Sequence, residues 1–486
     1  MINRRSFIKS GAAALLIPSL SRRAWAETAN LPAWTETLAQ RAARMQWFRD
    51  GRFGLFVHWG PYAVLGGEYQ GRTDPWIAEW IQHSSRIPYR EYEQIAASFN
   101  PVNFDAEEYV RIAKDAGMTY LVITAKHHDG FCMWDSQLTD YTIVRRTEYK
   151  RDVIRELARA CRNQGLKFGL YYSVRDWHHP DWTLRYEDLG RPHQYGSRWG
   201  YPPSKWTKGM AYACGCEACR GNVPFPEGYD PRPTAAEGAN MNRYLDYMKG
   251  QLTELLERYE ADVMWFDAQD ITDNKLARVD EMVATMRSLN PKVIISDRIA
   301  NNDMAGDYGI HEGGIPGSSD PREWETCMTM NDSWGYKQAD NNWKSAETLV
   351  RMLVDTTSKN GNFLLNVGPD GEGVIPGASV ERLNTVGQWM RVNSESIYGC
   401  GAAPVPAPSW GKVTAKEGQL FFHIFAWPQD GALAIERFQG AARKAWLLAD
   451  PAKTALEMKA DGATLRVSLP PEAPDRIDSV LCVETV

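Results

Sequence analysis

Residues 263–267, Val-Met-Trp-Phe-Asp, constrain the fold more than any other stretch of this chain. Four consecutive apolar side chains leave no member to face water. As a strand, the run must be covered on both faces, the situation of a parallel sheet wrapped by helices. It ends on a carboxylate, and in barrels built of strand-helix units the C-terminal strand ends form the active-site face. Alone, Asp267 reads equally well as the cap of a following helix or the start of the turn that holds Asp270. The other strand ends have to decide.

From about residue 40 to 400, similar apolar runs alternate with amphipathic ones. The period-2 or fully apolar stretches predict strands over 53–59, 120–126, 167–174, 263–267, 293–297 and 363–367. Helical periodicity covers 106–116, 151–164, 241–259 and 279–289, and Gly117, Gly165 and Asn290-Pro291 punctuate the returns to strand. Such alternation implies a parallel sheet with crossover helices. Near Ala402 the pattern changes. Pro404, Pro406 and Pro408 make a stiff linker, and the short alternating segments 420–426, 432–436, 445–448 and 464–467 predict a small antiparallel β domain. The expected organisation is a leader over 1–26, a catalytic unit over 27–402 and a β domain over 403–486.

The leader reading rests on Asn3-Arg4-Arg5-Ser6-Phe7-Ile8-Lys9, which resembles the twin-arginine export signal. A short apolar run and the small-x-small triplet Ala24-Trp25-Ala26 follow. That run is too short to span a bilayer. The mature chain is therefore expected in the periplasm or outside the cell, with no membrane partner. A net charge of -6 gives no reason to expect nucleic acid either.

Several predicted strands end in polar groups that a buried strand does not need. His58-Trp59 closes the first, Lys126-His127-His128-Asp129 the second, Tyr171-Tyr172 the third, and Asp297-Arg298 another. Their convergence implies a polar pocket with aromatic walls, and the 19 Trp suit one built for sugar rings. A metal fits poorly. Adjacent His127 and His128 on a strand point to opposite sides unless the strand bulges, and no His-Glu-x-x-His helix is present. Neutral imidazoles that bond sugar hydroxyls are the better use.

These residues lie in a series of motifs: HWGPY at 58–62, ITAKHHDGF at 123–131, WFD at 265–267, WETC at 324–327 followed by NDSWGY at 331–336, and NGNFLLNVGPDG at 360–371. In that order they resemble glycoside hydrolase family 29, the α-L-fucosidases. The resemblance implies a retaining exo-fucosidase that removes terminal α-L-fucose from oligosaccharides or glycoconjugates. It also implies a (β/α)8-like TIM barrel with a C-terminal β-sandwich, and no metal or other cofactor. It places the nucleophile at Asp267 and fucose contacts at His58, His127, His128, Tyr171, Trp265 and Arg298, with Glu79 and Trp80 added from an early loop.

A retaining glycosidase needs a second carboxyl group as acid and base. Glu325, in WETC, resembles one family pattern for it and is preferred. Glu312, in GDYGIHE, resembles the other, and Glu323 is the remaining candidate; whichever loses is expected to orient a fucose-binding group. Ala268 departs from the glycine that often follows the nucleophile. Two rival readings stand: a fucose-binding, lectin-like protein without catalysis, and a barrel glycosidase for another sugar. Separately, Cys214, Cys216 and Cys219 crowd a Gly- and Pro-rich insertion at about 190–233. In an exported chain a disulfide or free thiols are expected there rather than zinc, for want of a fourth ligand. The remaining five cysteines are read as packed thiols.

Overall fold

The computed structural model describes residues 35–85, 87–182, 239–267, 277–299, 306–320, 322–438 and 440–485. The leader, Ala268 and the cysteine-rich insertion lie outside the described residues.

Eight parallel strands form the central sheet: β1 (Phe53–Val57), β2 (Tyr120–Lys126), β3 (Lys167–Ser173), β4 (Val263–Asp267), β5 (Ile294–Ile295), β6 (Gly309–Glu312), β7 (Trp324–Thr329) and β8 (Gly361–Val367). They neighbour one another in chain order, and β1 also pairs with β8, Leu55 opposite Leu365. A parallel bridge from Ser296 to Tyr308 joins β5 to β6, with Asp307 N donating to Ile295 O at 2.7 Å, so the sheet closes on itself as a TIM-like barrel. Every residue of β1, β2 and β8 is buried. That is the two-sided burial the apolar runs require.

Several of the helices that cover the sheet begin at side-chain caps. Asp105 caps α2 (Ala106–Asp115), Asp152 caps α3 (Val153–Gln164), and Asn240 caps α4 (Met241–Tyr259) by accepting free backbone N–H groups. Next come α5 (Val279–Leu289), α6 (Ala346–Thr357) and α7 (Gly377–Asn393). Before them all, α1 (Leu38–Gly51) lies across the N-terminal strand ends. Its Met45 and Phe48 enter the barrel core beside Tyr120 and Tyr308, while Arg41 and Arg49 grip Glu323 and Arg44 grips Asp307.

Two strands escaped the sequence reading. Gly309–Glu312 contains a His and a Glu, and Trp324–Thr329 carries a carboxyl in its second position, so neither shows an apolar run. No helix occurs among the described residues between Ile299 and Trp324 either, so the strand-helix rhythm fails there. The predicted strand at 293–297 is only two residues long because the chain tightens into a 3-10 turn, Asp297–Ile299.

Beyond Gly401, an antiparallel five-stranded sheet and a three-stranded one face each other as a sandwich. Alternation decides what each side chain touches. In the strand Gln419–Ile424, Phe422 joins the core between the two sheets, while Phe421 joins the apolar layer between the barrel strands and their helices.

Candidate active site

Strand alternation builds the site. In β4, Val263 and Trp265 enter the barrel interior while Met264 and Phe266 pack outward against the helices, so Asp267 continues the inward row at the C-terminal rim. Its neighbour β3 places Tyr171 opposite Trp265. Tyr171 Oη donates to Asp267 Oδ2 at 2.8 Å, and Arg298, from the turn after β5, donates from Nη1 to Oδ1 at 3.2 Å. The same Nη1 reaches Glu312 Oε2 at 2.7 Å. Two carboxylates on adjoining parts of the rim are thus held by one guanidinium. Burial alone would lower the pKa of Arg298, but Glu312 and Asp267 raise it above its ordinary value and keep the charge in place.

Imidazoles form the opposite wall, and their hydrogen bonds fix their tautomers. Asn366 gives its Nδ2 to Trp334 O, so its Oδ1 accepts from His58 Nδ1 at 2.7 Å and leaves the His58 Nε2 lone pair free of that bond. Burial pushes His58 down to about 4. Ser173 spends its hydroxyl proton on Arg175 O, so it accepts from His128 Nδ1 at 2.7 Å, and His128 Nε2 stands 3.7 Å from Asp267 Oδ2. Burial, and then Arg175, hold His128 neutral. His127 stacks on Tyr171 with ring centres 5.5 Å apart and is driven well below the ordinary histidine value, first by burial and then by His128. Trp80 meets His128 edge-on at 5.2 Å, and Trp334 lies 5.0 Å from His58. The histidine rings of this wall are therefore neutral and face the charged group of Asp267, Arg298 and Glu312.

The two adjacent histidines do not point apart as an undisturbed strand would demand. The β2–β3 register slips between Thr124 and Lys126, the chain leaves the strand, and the His127 and His128 rings come within 4.2 Å on the same side. Even so, no group of three or more His, Cys, Asp or Glu among the described residues is arranged to hold a metal ion.

A sequence model of the alpha-L-fucosidase family matches residues 19–395. The chain belongs to the alpha-L-fucosidase family of glycoside hydrolases. Among solved structures it is similar to alpha-L-fucosidase isoenzyme 1 from Paenibacillus thiaminolyticus, with 38% identity and a TM-score of 0.76, covering 92% of this chain and 100% of that one. Among curated relatives, the plasma alpha-L-fucosidase of Rattus norvegicus is 29% identical over 83% of this chain and 82% of its own length. A fucosidase from Bacteroides thetaiotaomicron, 25% identical, is also similar, with a TM-score of 0.75 and coverage of 94% of this chain and 98% of that one. That structure is described as a covalent intermediate trapped with 2-fluoro-fucosyl fluoride in a glutamate-to-glutamine mutant.

Within this fucosidase fold, Asp267, Glu312, Arg298, Tyr171, His58, His127, His128 and Trp80 converge on one pocket. Four other candidate residues have surroundings of their own. Glu79 is buried, with Oε2 accepting from Gly335 N at 2.9 Å, and burial raises its pKa to about 7. Trp265 is a floor plate, stacked on Tyr171 with ring centres 5.3 Å apart. Glu325, the preferred acid, is fully enclosed beneath that plate: Trp265 Nε1 donates to its Oε1 at 2.8 Å, and Tyr120 Oη lies 2.6 Å from its Oε2. Glu323 lies at the barrel's other end, paired with Arg41 and Arg49. Two groups went unnoticed in the sequence. Asn366, which orients His58, and Ser173, which orients His128, are polar members of largely apolar strands, and that position was the available signal.

Proposed function

We propose that the protein is a retaining exo-alpha-L-fucosidase acting on terminal α-L-fucose of oligosaccharides or glycoconjugates, with Asp267 as nucleophile and Glu312 as acid and base. The observation that carries this reading is the shared Arg298 nitrogen. Both carboxylate oxygens bond to it, so they lie no farther apart than two hydrogen bonds end to end, roughly 6 Å. That limit admits the spacing of about 5 to 5.5 Å typical of a retaining pair. In the first step Asp267 attacks C1 while Glu312, which takes up a proton before the step, gives it to the departing oxygen. In the second, Glu312 takes a proton from water, which attacks C1 and releases Asp267. Tyr171 and Arg298 hold the Asp267 oxygens for attack, and the neutral histidines offer lone pairs and N–H groups to the hydroxyls of one sugar ring.

Glu312 replaces Glu325 in this role on geometric grounds. Glu325 sits one residue into β7, level with Tyr120 at the start of β2, and the Trp265 layer separates it from the rim where Asp267 stands. A proton donor must lie within hydrogen-bond reach of the leaving oxygen. The covalent intermediate described for the Bacteroides relative supports double displacement in the same fold. A lectin-like protein would need a sugar pocket but no such carboxylate pair. The test is the anomer released from an aryl α-L-fucoside, followed by NMR. α-L-Fucose as first product supports the reading; β-L-fucose, or no turnover of any fucoside, overturns it. The twin-arginine-like leader supports export, which we propose delivers the enzyme to the periplasm or beyond.

A further inference from the structure

Two groups that hold Asp267 rest on Trp265. Tyr171 stacks on its indole with an interplanar angle of 18°, and the Arg298 guanidinium carbon lies 5.6 Å from its ring centre. The one hydrogen-bonding atom of the indole, Nε1, is fixed by Glu325. The state of Glu325 therefore bears on the nucleophile through two intermediaries.

Among the described residues no cation forms an ion pair with Glu325. The ionisable groups facing it are Tyr120 from β2, Tyr308 ahead of β6 and Cys327 on its own strand, all of them acids. A carboxylate enclosed with no positive partner is costly. Hydrogen bonding points the same way. Tyr120 Oη lies 2.6 Å from Oε2, and with a proton on Oε2 that group donates to Tyr120 Oη while Oε1 accepts from Trp265 Nε1, so both carboxyl oxygens are satisfied with no buried charge.

We propose that Glu325 is a positioning residue that works as a neutral carboxylic acid. It is the middle member of a one-way hydrogen-bonded row, Trp265 to Glu325 to Tyr120, that fixes the indole under Tyr171 and Arg298. Bonds aligned donor to acceptor strengthen one another. A neutral acid also leaves Arg298 committed to the two rim carboxylates. Burial, the largest influence, raises the Glu325 pKa to about 7 against the pull of Tyr120 and Trp265, in keeping with the acid form below neutrality. The proposal rests on the assignment of Asp267 and Glu312 above.

Glutamine reproduces the neutral acid atom for atom: Oε1 accepts from Trp265 and Nε2 donates to Tyr120. Glu325→Gln is expected to keep kcat/KM within about threefold of wild type, because it exchanges one neutral hydrogen-bond set for another. Glu325→Ala strands the indole N–H and should lose roughly 10- to 100-fold, equally on natural and activated fucosides. An infrared difference spectrum at pH 6, wild type minus Glu325→Gln, should contain the carbonyl stretch of a protonated acid. If the variant does not fold, Tyr120→Phe gives the same information by shifting that band upward. Three outcomes overturn the proposal. A carboxylate signature at pH 6, or a Glu325→Gln as impaired as Glu325→Ala on both substrate types, removes the neutral row and leaves the Glu312 assignment standing. A Glu325→Gln that fails only on natural fucosides and yields fucosyl azide removes the Glu312 assignment as well.

Discussion

Substituting Glu312 by Ala removes one of the two carboxylates on Arg298 and leaves the guanidinium to Asp267 alone, through the 3.2 Å contact that remains. The two steps of the reaction should respond differently. For a natural fucoside the leaving alkoxide cannot depart without a proton, and a positioned general acid contributes about 10²- to 10⁴-fold, or about 3 to 5.5 kcal/mol of barrier. A 2,4-dinitrophenolate leaves unaided, so kcat/KM for that fucoside should fall by less than about tenfold. Its kcat should still drop, because water now lacks a base and the glycosyl-enzyme accumulates. Azide needs no base, and it should restore kcat and yield α-fucosyl azide, because it attacks the same glycosyl-enzyme that water does. Glu312→Gln separates chemistry from support: its amide oxygen can still accept from Arg298, so it should fold like wild type yet share the kinetic pattern of the Ala variant. The assay is steady-state kinetics on both substrates with and without azide. Equal losses on the two substrates, with no azide product, would refute the assignment of Glu312.

Tyr171→Phe removes only the hydroxyl, since the ring stays between His127 and Trp265. A hydrogen bond to a charged group is worth about 1.5–3 kcal/mol, so kcat should fall roughly 10- to 150-fold with little change in KM, measured on an aryl fucoside. His58 gives a pH prediction. Its folded pKa is about 4 against 6.5 unfolded, so between those values the unfolded chain binds the extra proton and stability falls as pH falls. Full passage through that window costs about 3 kcal/mol, and denaturant titrations at several pH values should show a shallower decline for His58→Gln. For export, replacing Arg4 and Arg5 by Lys should leave precursor in the cytoplasm, which cell fractionation reads directly.

The legibility of this chain follows where its polar groups find partners. Strands β1 to β4 and β8 are readable as apolar runs because both of their faces meet other apolar groups. Strands β6 and β7 are not, because a reader cannot know that a carboxyl in an inward position will meet Tyr120, 205 residues earlier, and Trp265, 60 residues earlier. The same blindness made Glu325 look catalytic: a glutamate in a distinctive motif carries no sign of whether it stands at the rim or under the floor. Strand alternation likewise argued that His127 and His128 diverge, and a one-residue slip at the end of β2 brings them together. The polar residue types at strand ends, Asp267, Arg298, Tyr171 and His128, lie together at the rim.

The most direct measurement is to trap the enzyme on its nucleophile. A 2-fluoro-fucosyl fluoride slows both steps by destabilising the oxocarbenium-like transition state, but its good leaving group allows the first step to run ahead of the second. Incubation, proteolysis and peptide mass spectrometry should find one fucosyl ester, on the peptide that carries Asp267, and should find none in Asp267→Gly. A label on any other carboxylate, or an unlabelled enzyme that still turns over fucosides with retention, would contradict the central claim.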